Sequence, residues 1–329
     1  MDKRPFVLAI VGPTASGKTA LAVRLAAELD GEIVSCDSMQ IYRGMDIGTA
    51  KPTEEEKQGV PHHMIDVADV REPFSSADYA AKASRCIEDI TARGKLPVIC
   101  GGTGLYLDAL LRGDDNSGGG ADLEYRAKME ALALEKGKGY VHGLLAEIDP
   151  ESAASIHPNN IKRVIRALEI RHVTGTNKSE LDRLSREKVK RYDSLVLGLR
   201  YNDRQTLYDR IDRRVDDMIE RGLCDEVRAL YDEGVFFESR TASQAIGYKE
   251  LLGYIRGELA LDVCVDELKR ATRRYAKRQM TWFRALEDIN WIDVDGESAG
   301  IGDEKIKTFE DIVNIAKKLL ADFKGCGIM

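Results

Sequence analysis

The stretch from Phe6 to Thr19 constrains this chain more than any other. Phe6-Val7-Leu8-Ala9-Ile10-Val11 is an unbroken apolar run, which reads as a central parallel strand buried on both faces. It passes into Gly12-Pro13-Thr14-Ala15-Ser16-Gly17-Lys18-Thr19, a match to GxxxxGK[ST], and then into helical spacing at Leu21, Leu25 and Leu29. Strand, glycine-rich turn and helix in that order make a phosphate cradle. The turn aims consecutive N–H groups inward, and the helix adds the positive end of its dipole. Lys18 supplies a mobile ammonium and Thr19 a hydroxyl for Mg2+. The pattern identifies a polyphosphate, not the molecule that carries it.

Shorter strands at Glu32–Ser35, Pro97–Cys100 and Leu195–Leu199 alternate with helical sequence. The fold class expected is therefore α/β: a P-loop NTPase-like parallel sheet flanked by helices. Between Leu111 and Tyr192 the alternation stops. Asp114-Asp115-Asn116-Ser117-Gly118-Gly119-Gly120 is followed by charge-rich helical sequence. An inserted helical domain at 115–193 explains this, with 1–114 and 194–329 forming the catalytic core. From Tyr201 onward the chain reads mostly as amphipathic helix.

A usual P-loop ATPase or GTPase needs a carboxylate closing a second core strand to hold Mg2+. Here Pro97–Cys100 runs into Gly101-Gly102-Thr103-Gly104-Leu105-Tyr106 instead. The Thr103 hydroxyl either faces the phosphates or caps the next helix. Asp37 closes a different strand, in Cys36-Asp37-Ser38-Met39-Gln40-Ile41-Tyr42. Ligands collect beyond the carboxyl ends of such strands. Asp37 is thus a proton acceptor or metal-water partner beside the cradle, or a plain N-cap. Gln40 either hydrogen-bonds a base or faces solvent. His62 and His63 are adjacent, but no third metal ligand is in view, so a structural or surface role is expected.

The net charge of −7 argues against a protein that grips nucleic acid with its whole surface. Any polyanion must meet local basic regions. One runs from Lys162 to Arg191, with ten Lys or Arg against four Asp or Glu. Another, Lys269 to Arg284, interleaves cations with Tyr275, Trp282 and Phe283, offering phosphate contacts and stacking surfaces. A solvated helical face is the plain alternative for each. Arg210, Arg213 and Arg214 form a further group able to reach a diphosphate. The six cysteines are scattered without a CxxC pair, which fits a reducing cytoplasm and no zinc knuckle. No apolar run approaches the ~20 residues of a membrane span, and the N-terminal residues lead straight into a strand without a signal peptide. The closing Cys326-Gly327-Ile328-Met329 imitates a prenylation signal by coincidence, since Gly327 is a poor aliphatic residue. A small-molecule P-loop kinase, an adenylate prenyltransferase and a nucleotide-gated nucleic-acid-binding switch all remain open on these features.

The ordered set of motifs narrows the field. The 12–19 turn, Asp37-Ser38-Met39-Gln40, Tyr42–Pro52, Gly101–Tyr106, Ile156-His157-Pro158-Asn159-Asn160, Ala245-Ile246-Gly247-Tyr248 and Lys277–Trp282 closely resemble the tRNA dimethylallyltransferase (tRNA isopentenyltransferase) family. The resemblance implies dimethylallyl diphosphate in the cradle and Mg2+ as cofactor. The acceptor it implies is the exocyclic amine of the adenosine 3′ of the tRNA anticodon. Contact with the anticodon arm would then involve Ile161, Lys162, Arg163, Val164 and Ile165 of the insertion. It would also involve Asp37, Ser38, Met39, Gln40, Gln244, Gly247, Tyr248, Lys277, Arg278, Gln279, Trp282 and Arg284. In the mechanism expected, Asp37 is the general base, Lys18 and Arg210 stabilise the leaving diphosphate, and Thr103 hydrogen-bonds the bridging oxygen. Eukaryotic relatives often end in a zinc finger and this chain does not, so a bacterial-type, cytoplasmic monomer without a membrane partner is expected.

Overall fold

The computed structural model describes residues 4–112, 120–187, 190–286, 288–295 and 308–325. Most of the glycine-rich stretch read at 114–120, and the Cys326–Met329 tail, lie outside the described residues. The chain divides into two compact units, Met1–Leu107 with Tyr192–Met329, and Asp108–Arg191. The sequence reading set the insertion at 115–193. The helical unit begins earlier because Arg191 N donates to Leu111 O (3.0 Å), tying its two ends together.

In the first unit six parallel strands form one sheet: β1 (Phe6–Val11), β2 (Gly31–Ser35), β3 (His62–His63), β4 (Leu96–Gly101), β5 (Asp193–Arg200) and β6 (Ile289–Asp293). Their order is β3-β2-β4-β1-β5-β6. β1 lies at the centre, with Leu8 in register with both Val98 and Leu195. The sequence yields β1, β2, β4 and β5. It hides β3, two residues long, and β6, which lies in a region otherwise read as helix.

The helices Lys18–Glu28 and Phe309–Gly325 cover one face, where Leu21, Leu25, Val313 and Ala316 pack against Leu8, Ile10, Val98 and Leu197. Each such Leu, Ile or Val side chain taken from water contributes roughly 1.5–3 kcal/mol. The helix Ser76–Ala92 packs on β2 and β4, and its Tyr79 stacks on Tyr106 at 4.3 Å. A second apolar cluster joins Ile41, Tyr42 and Met45 to Val215, Val227, Tyr248, Leu251 and Leu268. It seats the loops beyond β2 on the C-terminal helices, which is what builds a site at that edge. At the opposite end of the sheet, buried Glu32 pairs with Arg93, His63 and Lys95.

The second unit packs helices Leu123–Lys136, Lys138–Ile148, Pro150–Ser155 and Ile161–Thr174 around Met129, Val141, Leu145, Val164, Ile165 and Leu168. Fully buried Glu169 accepts hydrogen bonds from Arg126 (2.8 Å), Arg166 (2.6 Å) and the Asp122 amide (2.8 Å). A buried carboxylate is tolerable only with such partners. Among the described residues no helix is long and apolar enough to cross a membrane.

Candidate active site

The cradle forms where β1 ends. Gly12 has φ 151°, and a Cβ there would lie 2.7 Å from Leu199 O on β5, so only glycine lets the turn leave the sheet at this angle. Ala15 at φ 61° and Gly17 at φ 88° complete the curl. Lys18 Nζ donates to Pro13 O (3.2 Å), folding the ammonium back over the turn. The Ser16 hydroxyl is buried, and among the described residues it has no hydrogen-bond partner. An orphaned polar atom of this kind is free to accept or donate to a water or a bound group.

Beyond this turn opens a cavity of about 270 Å³. Lys18 and Thr19 line it, with Asp37–Gln40 after β2, Gly48–Ala50, Gln244–Gly247, Arg214, and Tyr275, Arg278 and Gln279 of the long helix Leu261–Arg284. Burial depresses the Lys18 ammonium below its ordinary value, and Arg214 lowers it further while Asp37 partly offsets this. Burial likewise lowers Arg214. Two cations enclosed together favour an anion between them. The Cys100 thiol, also in the wall, is pushed up to about 11 by burial, so it stays neutral and inert.

Asp37 stands in a turn and does not open a helix. Its Oδ1 accepts from Met39 N (2.9 Å) and Gln40 N (3.4 Å), closing that turn. Among the described residues its other oxygen takes no hydrogen bond, and the side chain lines the cavity. Thr103 holds this turn from behind. Its N donates to Cys36 O (3.1 Å), and its Oγ1 accepts from Ser38 N (3.0 Å). Gln40 is occupied inside the protein, accepting from Ser35 Oγ (2.9 Å) and donating to Thr49 O (3.3 Å) and Ala50 O (3.1 Å). Buried Lys51 fastens the same loop through Tyr42 O (2.6 Å), Asp46 (2.6 Å) and Asp66 (2.5 Å).

Several expected roles change on these grounds. Arg210 is exposed and donates through Nε to Ala15 O (2.9 Å) on the cradle's outer side, whereas Arg214 of the same group lines the cavity. Thr103 braces the Asp37 turn through Ser38 N. Gln279, 5% exposed, accepts from Thr14 N (2.9 Å) and donates to Gly102 O (2.9 Å), so its amide is consumed in tying the cradle to the end of β4. Tyr248 is fully buried, and Val164 and Ile165 are core residues of the helical unit. Surface contact does not fit these four buried positions. Lys162, Arg163, Gln244, Lys277, Arg278 and Arg284 are exposed, with Ile161 and Trp282 half-buried. Met39, Ser38 and Gly247 border the cavity.

Among the described residues no group of three His, Cys, Asp or Glu side chains gathers around His62 and His63. His63 binds Glu32 at 2.7 Å and His62 Nδ1 contacts Val60 O at 2.8 Å. The role of Gln279 was hidden because its partners, Thr14 and Gly102, lie far away in sequence. The only available signal for Arg214 was its place one helical turn from Arg210.

Sheet order, cradle and anion-favouring cavity together define a P-loop protein built to hold a phosphate-bearing ligand next to a carboxylate. The profile of the IPP transferase family matches residues 40–286. A tRNA dimethylallyltransferase of Bacillus mycoides is 52% identical over 90% of this chain and 92% of its own length. One from Acetivibrio thermocellus is 50% identical over 91% and 94%. Among solved structures, the tRNA isopentenylpyrophosphate transferase of Bacillus halodurans superposes with a TM-score of 0.69 at 44% identity, covering 98% of both chains. A eukaryotic dimethylallyltransferase captured acting on tRNA gives 0.74 at 33% identity, over 88% of this chain and 74% of that one. This chain belongs to the IPP transferase family.

Proposed function

We propose that this protein transfers the dimethylallyl group of dimethylallyl diphosphate to the exocyclic amine of the adenosine 3′ of the tRNA anticodon, releasing diphosphate. The names of its relatives support tRNA prenylation. The observation that carries the chemistry is one cavity bordered by the Lys18–Arg214 cation pair and by the unengaged oxygen of Asp37.

The amine's lone pair is delocalised into the purine, so it attacks well only as its proton leaves. Asp37 takes that proton while the N–C bond forms and the C–O bond to diphosphate breaks, a general-base role worth ~10²–10⁴-fold. Charge gathers on the departing diphosphate, where the cradle N–H groups, Lys18 and Arg214 stabilise it. Arg210 supports this indirectly by fixing the Ala15 carbonyl. Hydroxyl and carboxylate oxygens suit Mg2+, and the orphaned Ser16 hydroxyl leaves an oxygen donor free in the turn. Thr19 would hold the ion, which would neutralise charge on the diphosphate. The exposed basic residues of the long helix, with Lys162 and Arg163 of the helical unit, would bind the anticodon arm. A cytoplasmic setting follows from such a substrate.

Labelled dimethylallyl diphosphate offered in parallel with unmodified tRNA, AMP and ATP tests the reading. Label in tRNA alone is expected. Label in AMP or ATP, or phosphate transfer from ATP without prenylation, would replace it with a rival.

A further inference from the structure

Two segments that line the cavity are held to each other by one side chain that does not line it. Gly48–Ala50 is tied to the Asp37 turn through Gln40, and so borders the place where the acceptor amine must meet its base. Gln244–Gly247 lines the cavity as well. Glu226, on the helix Leu223–Asp232, connects the two. Its Oε2 accepts from Asp46 N (3.0 Å) and Ile47 N (2.8 Å), and its Oε1 from Gly48 N (3.1 Å) and the Tyr248 hydroxyl (2.6 Å).

The packing around this clamp leaves little slack. A Cβ on Gly48 would fall 2.6 Å from the Tyr248 ring, and one on Gly247 3.0 Å from Gly48 O. Gly48 and Gly247 therefore touch backbone to backbone, and the carboxylate fixes how they meet. Burial first, and Glu226 second, push the Tyr248 phenol well above its ordinary value, so it remains a donor. All four partners of Glu226 donate and none accepts. Only an acceptor-only group satisfies them; an amide would turn its NH2 against two donors.

We propose that Glu226 is a positioning residue that sets the gap between Gly48–Ala50 and Gln244–Gly247, and through it the fit of the acceptor base. This rests on the functional reading above. It assigns Glu226 to acceptor recognition and not to handling of the donor, since none of its bonds reaches the Gly12–Thr19 turn.

Steady-state prenylation by Glu226→Gln and Tyr248→Phe, varying tRNA and dimethylallyl diphosphate separately, tests it. Glu226→Gln should raise the KM for tRNA about tenfold or more, with the donor KM within about twofold of wild type. Tyr248→Phe keeps the ring and removes one of four donors, so it should shift the tRNA KM in the same direction by less. If Glu226→Gln fails to fold, Tyr248→Phe decides alone. Equal rises in both KM values, or both unchanged, overturn the proposal, because a purely structural clamp would not separate the substrates. Wild-type enzyme that leaves tRNA unlabelled overturns the functional reading and the inference with it, a failure visible before any variant is compared.

Discussion

The cavity has two sides built on opposite principles. The cradle is one contiguous turn whose binding groups are its own backbone amides, joined by the next residues in sequence, Lys18 and Thr19. The acceptor side is assembled from the Asp37 turn, the Gly48–Ala50 loop, the Gln244–Gly247 turn and the long helix, fastened by the side chains of Gln40, Glu226 and Lys51. A contiguous device carries its geometry in its local φ and ψ values. An assembled one depends on residues that never touch substrate. Donor handling should therefore respond mainly to the turn and the few side chains that touch it, while acceptor handling should respond to distant ones.

Asp37→Asn offers the strongest test. Turnover should fall by ~10²–10⁴-fold while tRNA binding, measured by filter retention, stays near wild type; near-normal turnover would remove the base from the acceptor side. Lys18→Ala comes next. Its kcat/KM for the prenyl donor should drop by ~10²–10³-fold with tRNA affinity unchanged, and a matching loss of tRNA affinity would show that the two sides are not separable. Gln279→Leu attacks the tie between them. It leaves Thr14 N–H and Gly102 C=O unpaired, so denaturant unfolding should register a loss of ~1–3 kcal/mol, with both KM values rising together. A rise in one alone would mean that Gln279 serves only that side. The smallest effect belongs to exposed Lys277. Lys277→Ala should reduce the salt dependence of tRNA affinity by a slope of about 1, and an unaltered slope would exclude it from phosphate contact.

The same contrast explains what could be read from the sequence. The central strands showed as apolar runs because parallel strands buried on both faces need little else. The cradle showed because its glycines and lysine must be adjacent. Asp37 could be located because strand ends gather ligands. Arg214 stood out only as one of three neighbouring arginines, and Glu226 and Lys51 gave no comparable signal, since an isolated cation or carboxylate looks the same on a solvated helix as in a buried clamp. Buried Tyr248 and Gln279 sat inside recognisable motifs, but a motif fixes identity and not which way a side chain faces. β3 escaped notice because two residues carry no periodicity.

The Glu32 cluster, at the end of the sheet away from the site, has a consequence for the acid limit of the fold. Arg93 first, with His63 and Lys95 adding to it against the cost of burial, brings the Glu32 carboxyl from an ordinary 4.5 to about 2. A depressed carboxyl gives stability that is fully present above the unfolded value and is lost as pH falls toward the folded one. Its contribution should hold down to about pH 4.5 and fade toward pH 2. Because β3 is the edge strand and among the described residues pairs with β2 alone, through His62 and His63, acid should loosen this edge of the sheet first. Amide exchange at β3 would rise there before the interior strands respond, and Glu32→Gln should abolish that pH dependence.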